Sequence, residues 1–186
     1  SKLARAADEM TEVKRIYLMD MDHSLAENLA AELKKAIVVD NVEEELYHCD
    51  LVIEAASQAA AKDIAPKVVS RGVDMMMMSV GALVDDDFRT MVKEKACHAE
   101  AKIFIPSGAI CGTDGLRSSA VGRLDEVELI TTKGPKSLEG VPYIIDHGID
   151  VDKVKEPTVI FSGSARDAVR LFPKNINVAA TVALLG

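Results

Sequence analysis

Residues 50–83 read DLVIEAASQAAAKDIAPKVVSRGVDMMMMSVGAL. Residues 50–53 predict a strand through the apolar run 51–53, and Ser57 follows it as an N-cap for a helix that runs towards Gly72, where a glycine stop is expected. Pro66 lies inside this helix and predicts a kink or a split near Ala65. Residues 74–80 have no polar face, which predicts a strand buried on both sides of a parallel sheet.

The same alternation of strand and helix continues on both sides of this stretch. Residues 16–19 form an apolar run, and Ser24 is placed to cap a helix whose apolar residues extend to Ala36. Residues 37–39 and 102–105 predict further strands. The connections are too long for hairpins, so we predict an α/β fold with a doubly wound parallel sheet.

The composition and the pattern of predicted elements change after about residue 105. Glycines become frequent, and we predict short strands at 126–133 and 158–162. Ser164 and Asp167 form a capping-box pattern at the start of a further helix. We therefore predict two domains, one over residues 1–105 and a second α/β domain over residues 106–186.

Composition and charge exclude several classes of function. Lys and Arg number 22 against 30 Asp and Glu, and a net charge of −8 argues against nucleic acid as a partner. Cys49, Cys97 and Cys111 have no CxxC spacing, so we expect a reducing cytoplasmic compartment and no metal site. No apolar run approaches the roughly 18 residues that a membrane-spanning helix needs.

The residues that directly follow the predicted strands are the candidates for ligand binding, because open parallel sheets bind ligands beyond the carboxyl ends of their strands. Asp20 is placed to accept hydrogen bonds from an adenosine ribose, although it equally suits a helix cap or a surface position. Residues 55–58, 79–83 and 106–110 are mostly small. They predict the floor of a groove for a flat cofactor, although tight strand-to-helix turns would have the same composition.

Both ends of the sequence lack features that this fold usually has. The phosphate-binding GxGxxG loop that should precede the first helix is absent, since residues 3–7 already have a helical pattern. The apolar residues 177–186 are followed by nothing that would cover them. We expect the sequence to be a fragment of a longer protein, with weak dinucleotide binding on its own.

Five motifs in order resemble the NAD(P)-dependent L-aspartate dehydrogenases, particularly the archaeal ones. The resemblance covers nearly the whole sequence, with Asp20 correctly placed upstream. The motifs are Glu54–Gln58, Ser79–Leu83, Pro106–Ile110 with Gly112 and Asp114, Phe161–Ala165, and Phe172–Thr181.

The resemblance implies a Rossmann-like domain, without its first strand and glycine loop, joined to a partly truncated α/β domain for substrate and dimer contacts. It implies a homodimer that uses NAD or NADP and oxidatively deaminates L-aspartate. The products are iminoaspartate, or oxaloacetate and ammonia, and the former supplies NAD biosynthesis.

Site residues are carried over from the family by motif. Asp20 would bind the adenosine ribose, and Ala109 and Asn177 would contact the cofactor near the nicotinamide. The family's catalytic histidine is expected beyond Gly186, so no residue of this sequence is assigned as catalytic, and the four histidines are predicted at the surface. The groove would be lined by Ala55, Ala56, Ser57, Ser79 and Gly81, and the substrate-side candidates are Ser107, Lys174 and Asn175.

Three different functions also remain compatible with the sequence. Cys111 has the position of a thiolate nucleophile in an aldehyde dehydrogenase, although a small packing side chain would serve equally well there. The sequence also suits a non-catalytic binding or scaffold module that assembles through exposed apolar surface. Reductases or dehydrogenases acting on homoserine, a semialdehyde or a cyclic imine share the fold but not this series of motifs.

Overall fold

The computed structural model describes residues 1–107, 110–172 and 177–185. The chain divides into two compact units, Ser1–Asp50 and Leu51–Gly186. Each unit contains a parallel sheet with helices in the connections between strands. The predicted α/β fold with parallel strands is therefore confirmed.

The first unit pairs two short parallel strands, with Ile16 opposite Ala36. The helix between them is capped by Asp22 and not by Ser24 as predicted, because the Asp22 carboxylate accepts the Ser24 N–H at 3.1 Å. The order of elements is α1 (Lys2–Glu9), β1 (Ile16–Leu18), α2 (His23–Ala30), β2 (Ala36–Val38) and α3 (Val42–Glu45), followed by a 3-10 turn at Leu46–His48.

The second unit is built on a three-stranded parallel sheet in which the strands lie in sequence order. Ser57 caps the first crossover helix through a hydrogen bond from the Ala60 N–H, as predicted. The elements are β3 (Leu51–Glu54), α4 (Gln58–Ser70), β4 (Asp74–Met77), a 3-10 turn at Val80–Val84, α5 (Asp86–His98) and β5 (Ile103–Phe104).

Helix α4 is continuous through Pro66, so the predicted split near Ala65 is wrong. A proline removes one intrahelical hydrogen bond, but burial of the apolar face of the helix outweighs that local cost. The four residues of α4 that pack inward are fully buried: Ala61, Ala65, Val68 and Val69.

The methionine strand β4 is wholly buried on one face only. Met75 and Met77 have no exposed surface, whereas Met76 is partly exposed. Met76 is paired with Ile53 and Phe104, which are 40% and 42% exposed. The prediction of a strand buried on both sides is therefore wrong within this unit, and the side chains alternate between a packed and an open face.

The regular elements in the described residues after β5 are all helices or 3-10 turns. No strand is present in the described residues beyond Phe104, so the strands predicted at 126–133 and 158–162 are wrong. Alternating apolar residues define a face, but a strand also needs a neighbour for its hydrogen bonds. The elements are α6 (Thr113–Val121), 3-10 turns at Pro135–Leu138 and Val151–Lys153, α7 (Pro142–Asp146), α8 (Ala165–Leu171) and α9 (Asn177–Leu185).

Candidate functional site

The carboxyl ends of β3 and β4 lie side by side and bring two predicted groups of small residues together. Ile53 pairs with Met76 and Glu54 with Met77, so the loops that follow both strands start at the same edge. Residues 55–57 are exposed, whereas Ser79 and Gly81 are buried. The exposed loop therefore provides an accessible small-residue surface, and the buried loop supports it.

Glu54 joins these two loops and is not among the residues predicted to form the site. Its Oε1 accepts hydrogen bonds from the Ala56 N–H at 2.8 Å and the Ser79 hydroxyl at 2.7 Å. Its Oε2 accepts the Ser79 N–H at 3.0 Å. Charge-assisted bonds of this kind are stronger than neutral ones, so Glu54 fixes one loop against the other. Two signals in the sequence pointed to Glu54: it is an acid directly after an apolar run, and it is the first residue of the motif Glu54–Gln58.

Asn177 attaches helix α9 to the loop after β4. Its side-chain Nδ2 donates to the Met78 carbonyl at 2.9 Å, and its Oδ1 accepts the Gly81 N–H at 3.4 Å. Asn177, Ser79 and Gly81 are therefore held within one small region of the second unit, as the prediction of a common site requires. The apolar residues that pack α8 and α9 against the 3-10 turn include Val80, Val84, Val169, Ala179 and Ala180.

Gly81 allows its backbone to approach the side chain of Gln58 closely. A Cβ atom built at Gly81 would lie 2.4 Å from Gln58 Nε2, which is far inside van der Waals contact. Any larger residue would have to displace the Gln58 amide from the start of α4. The absence of a side chain at position 81 thus allows this contact, and a Cβ there would displace the terminal amide of a flexible side chain.

These features fit a bound dinucleotide. Ala55 and Ala56 leave the backbone open to approach, and the N-terminal N–H groups of the 13-residue helix α4 lie directly after them. Helix N-termini favour anionic groups through their unpaired donors and their dipole. Asn177 adds a polar side chain at the loop after β4. The region therefore offers hydrogen-bond donors to a dinucleotide, and its small side chains leave room for the dinucleotide to approach.

The remaining predicted residues are distributed elsewhere. Asp20 lies in the first unit just after β1, where it is exposed and accepts the Asp22 N–H at 3.0 Å. Ser107 is exposed three residues after the end of β5. Ala109, Lys174 and Asn175 lie outside the described residues.

An open cavity of about 470 Å³ adjoins this region in the second unit. Lys62 donates to Asp85 at 2.6 Å and thereby holds the pKa of this carboxyl below its ordinary value. Arg166, and to a smaller extent Arg89, lower the pKa of Asp86 in the same way. The lining residues are Gln58, Lys62, Gly81, Val84, Asp85, Asp86, Asp87, Arg166, Val169 and Arg170.

Among the described residues, the histidines and cysteines form no second site. All four histidines are exposed, as predicted, and His23 lies 3.2 Å from an Asp40 oxygen.

Within residues 1–107, 110–172 and 177–185, no three His, Cys, Asp or Glu side chains are grouped to hold a metal ion. Cys111 is exposed and free, and in the described part of the chain no base is hydrogen-bonded to it. None of the described helices is long and apolar enough to cross a bilayer.

Comparison with known proteins identifies the family. The family profile "Aspartate dehydrogenase, C-terminal" matches residues 114–186, and the profile "Homoserine dehydrogenase, NAD binding domain" matches residues 1–106. An L-aspartate dehydrogenase of Methanosarcina acetivorans is 41% identical over 187 residues, covering 100% of this chain and 69% of its own length. The chain belongs to the L-aspartate dehydrogenase family.

Further relatives and a solved structure agree with this membership. An L-aspartate dehydrogenase of Nitrosopumilus maritimus is 43% identical over 137 residues, which are 74% of this chain and 50% of that protein. The crystal structure of an aspartate dehydrogenase from Thermotoga maritima superposes with a TM-score of 0.65 at 27% identity, covering 97% of this chain and 68% of that one. The NAD-binding, Rossmann-like character of this family member follows from the same matches.

Proposed function

We propose that this chain forms the cofactor- and substrate-binding parts of an L-aspartate dehydrogenase. The enzyme converts L-aspartate and NAD(P)⁺ to iminoaspartate, NAD(P)H and a proton, and hydrolysis of the imine gives oxaloacetate and ammonia. The observation that carries this proposal is the 41% identity with a named L-aspartate dehydrogenase across the full length of the chain.

The residues of the chain position the cofactor. When bound, the dinucleotide supplies the acceptor for the hydride that leaves the α-carbon of the substrate. Ala55, Ala56 and Ser57 form the exposed side of the cofactor groove. The buried residues Ser79 and Gly81 support this exposed loop. Asn177 contacts the nicotinamide end together with Ala109, and Asp20 binds the adenosine ribose; a carboxylate in that role favours NAD over NADP.

Ser107, Lys174 and Asn175 are the proposed contacts to the substrate. A dicarboxylate needs a cation and hydrogen-bond donors in its cleft, and these residues supply an ammonium group, a hydroxyl and an amide. The proposal is supported by their place in two of the motifs that the chain shares with the family.

The proposal extends to the assembly, the location and the pathway of the protein. We propose a homodimer that works in the cytoplasm and supplies iminoaspartate to NAD biosynthesis; the three free cysteines support a reducing compartment. We also propose two domains, 1–105 and 106–186, which the ranges of the two matching profiles support. The first 50 residues additionally form a compact unit by their internal contacts.

The decisive test is substrate-dependent reduction of NAD and NADP, followed at the absorbance of the reduced cofactor. Protein expressed from the complete reading frame that contains this sequence is assayed with L-aspartate, and in reverse with oxaloacetate and ammonium. We expect turnover with L-aspartate and none with homoserine, which separates this function from the homoserine dehydrogenase named by the profile over residues 1–106. Turnover with homoserine alone would overturn the proposal.

Alkylation of thiols tests whether the protein is instead an aldehyde dehydrogenase that uses Cys111 as its nucleophile. Oxidation of an amine should survive blocking of Cys111, whereas chemistry through a thiohemiacetal should be lost. A dinucleotide titration combined with size exclusion tests for a binding or scaffold module. Such a module would assemble on size exclusion but would bind no dinucleotide.

A further inference from the structure

The carboxylate of Glu54 is a buried charged group at the candidate site to which the proposed function gives no task. Glu54 is only 5% exposed, and its three hydrogen-bond partners are an N–H of Ala56 and the N–H and hydroxyl of Ser79. Among the residues that the structure describes, no Lys, Arg or His forms an ion pair with it. The charge is therefore stabilised by dipoles and not neutralised.

A buried carboxylate without a cation is an energetically unfavourable way to connect two loops. Removing such a charge from water costs on the order of several kcal/mol, and hydrogen bonds offset that cost only in part. A neutral amide has a single acceptor oxygen, so it could accept only one of the two backbone N–H groups that the two carboxylate oxygens of Glu54 accept. The connection therefore requires the charge, and a second role would come from the effect of this charge on a charged group that binds nearby.

The position of the charge relative to Asn177 suggests that role. Asn177 binds the backbone of Met78 and Gly81, and Ser79, which donates twice to Glu54, lies between these two residues. One short segment thus contacts Glu54 and also Asn177. In the proposed function, Asn177 lies against the nicotinamide end of the cofactor, so the segment that binds Glu54 would adjoin the ring that changes its own charge.

We propose that Glu54 is a specificity-determining residue that makes the groove prefer the oxidised cofactor over the reduced one. This inference rests on the proposed function. The nicotinamide ring of NAD⁺ carries a positive charge that is lost when the ring accepts a hydride. A fixed negative charge in a poorly solvated environment attracts the cationic ring more strongly than the neutral one. Glu54 therefore lowers the Kd for NAD⁺ relative to the Kd for NADH.

The test measures the Kd of both cofactors for the intact protein, by calorimetry for NAD⁺ and by cofactor fluorescence for NADH. In the Glu54→Gln variant we expect the Kd for NAD⁺ to rise about tenfold and that for NADH to rise less than about threefold. Glu54→Asp keeps the charge, so both Kd values should rise by a similar factor. Glu94→Gln removes an exposed carboxylate from α5 and should change neither value.

Equal increases of both Kd values in Glu54→Gln would overturn the inference and leave Glu54 as a structural connector. If this variant does not fold, as judged by urea unfolding, the double variant Glu54→Gln/Ser79→Ala removes the hydroxyl together with its charged partner, which is less disruptive than removing one partner alone. Its Kd ratio should shift in the same direction. A wild-type protein that binds neither cofactor would instead contradict the proposed function.

Discussion

At the residue scale, short polar side chains fix where the main helices begin. Ser57, Asp85 and Ser164 each accept a backbone N–H in the first turn of the helix that follows. Such a cap satisfies one donor that the helix itself leaves unpaired. Because the Ser57 cap also ends the loop that starts at Glu54, it contributes to the conformation of the candidate groove.

The Ser57→Ala variant tests the contribution of this cap. We expect the free energy of unfolding to fall by about 1 kcal/mol, because the Ala60 N–H loses its acceptor. The measurement is equilibrium urea unfolding. Ser70→Ala, at the other end of α4, removes a hydroxyl that caps nothing and should leave the stability within about 0.5 kcal/mol. Equal losses in the two variants would contradict the capping role.

Sequence reasoning succeeds where the relevant chemistry is local. The caps at Ser57 and Ser164 were predictable because the side chain and its backbone partner are three residues apart. The cap at Ser24 was wrong because Asp22, two residues earlier, offers a competing acceptor. Glu54 was missed because its partner Ser79 is 25 residues away, and only the fold brings the two together.

At the element scale, strand β4 shows how one run of identical side chains divides into two environments. The alternation of a strand points Met75 and Met77 into the packed side of the sheet, where they are fully buried. Met76 points to the opposite face and is partly exposed. The sequence MMMM contains no sign of this difference, which depends on which face the helices cover.

Alanine substitutions in β4 measure this difference with a matched pair. Met75→Ala should lower the free energy of unfolding by about 2–5 kcal/mol, because it leaves a cavity in a filled core. Met76→Ala should cost less than about half of that, since its side chain already contacts solvent. Urea unfolding of both variants provides the comparison. A larger loss in Met76→Ala would contradict the assignment of faces.

Elements were predictable where hydrophobic periodicity and turn residues agree. The strands and helices between residues 16 and 104 follow this rule, and their alternation with long connections predicted an α/β fold. The split predicted at Pro66 was wrong because local propensity does not include the burial of Ala65 and Val69 around it. The strands at 126–133 and 158–162 failed because hydrogen-bond partners cannot be inferred from alternation alone.

At the scale of the whole molecule, ion pairs connect parts of the second unit that are distant in sequence. Arg166 at the start of α8 donates to Asp86 in the first turn of α5, 80 residues earlier. Arg89 binds the same carboxylate, and its Nη1 also donates to the Leu83 carbonyl at 2.8 Å. This network joins segments matched by the two different family profiles.

The network predicts a dependence of stability on pH. Arg166 and Arg89 lower the pKa of Asp86 in the folded state below the ordinary value of 3.8. The contribution of Asp86 to stability is therefore present above that value. The contribution is lost as the pH falls through the lowered folded-state pKa. Asp86→Asn should therefore be less stable than the wild type at pH 7 and should lose less stability on acidification to about pH 3.

Urea midpoints at both pH values check this expectation. Asp87→Asn is the matched control, since Asp87 is an exposed neighbour in the same helical turn and has no ion pair among the described residues. It should retain the pH dependence of the wild type. If Asp86→Asn loses as much stability on acidification as the wild type does, Asp86 is not the group that links stability to pH.

The two hydrogen bonds of Asn177 have a consequence for the order in which the protein matures during synthesis. The contacts of Glu54 span 25 residues or fewer, but those of Asn177 to Gly81 and Met78 span 96 and 99. A ribosome adds residues at roughly 5–20 per second, so β3 and β4 emerge several seconds before Asn177 does. The nascent chain can therefore close the sheet early, while the candidate groove is completed only when translation has reached α9.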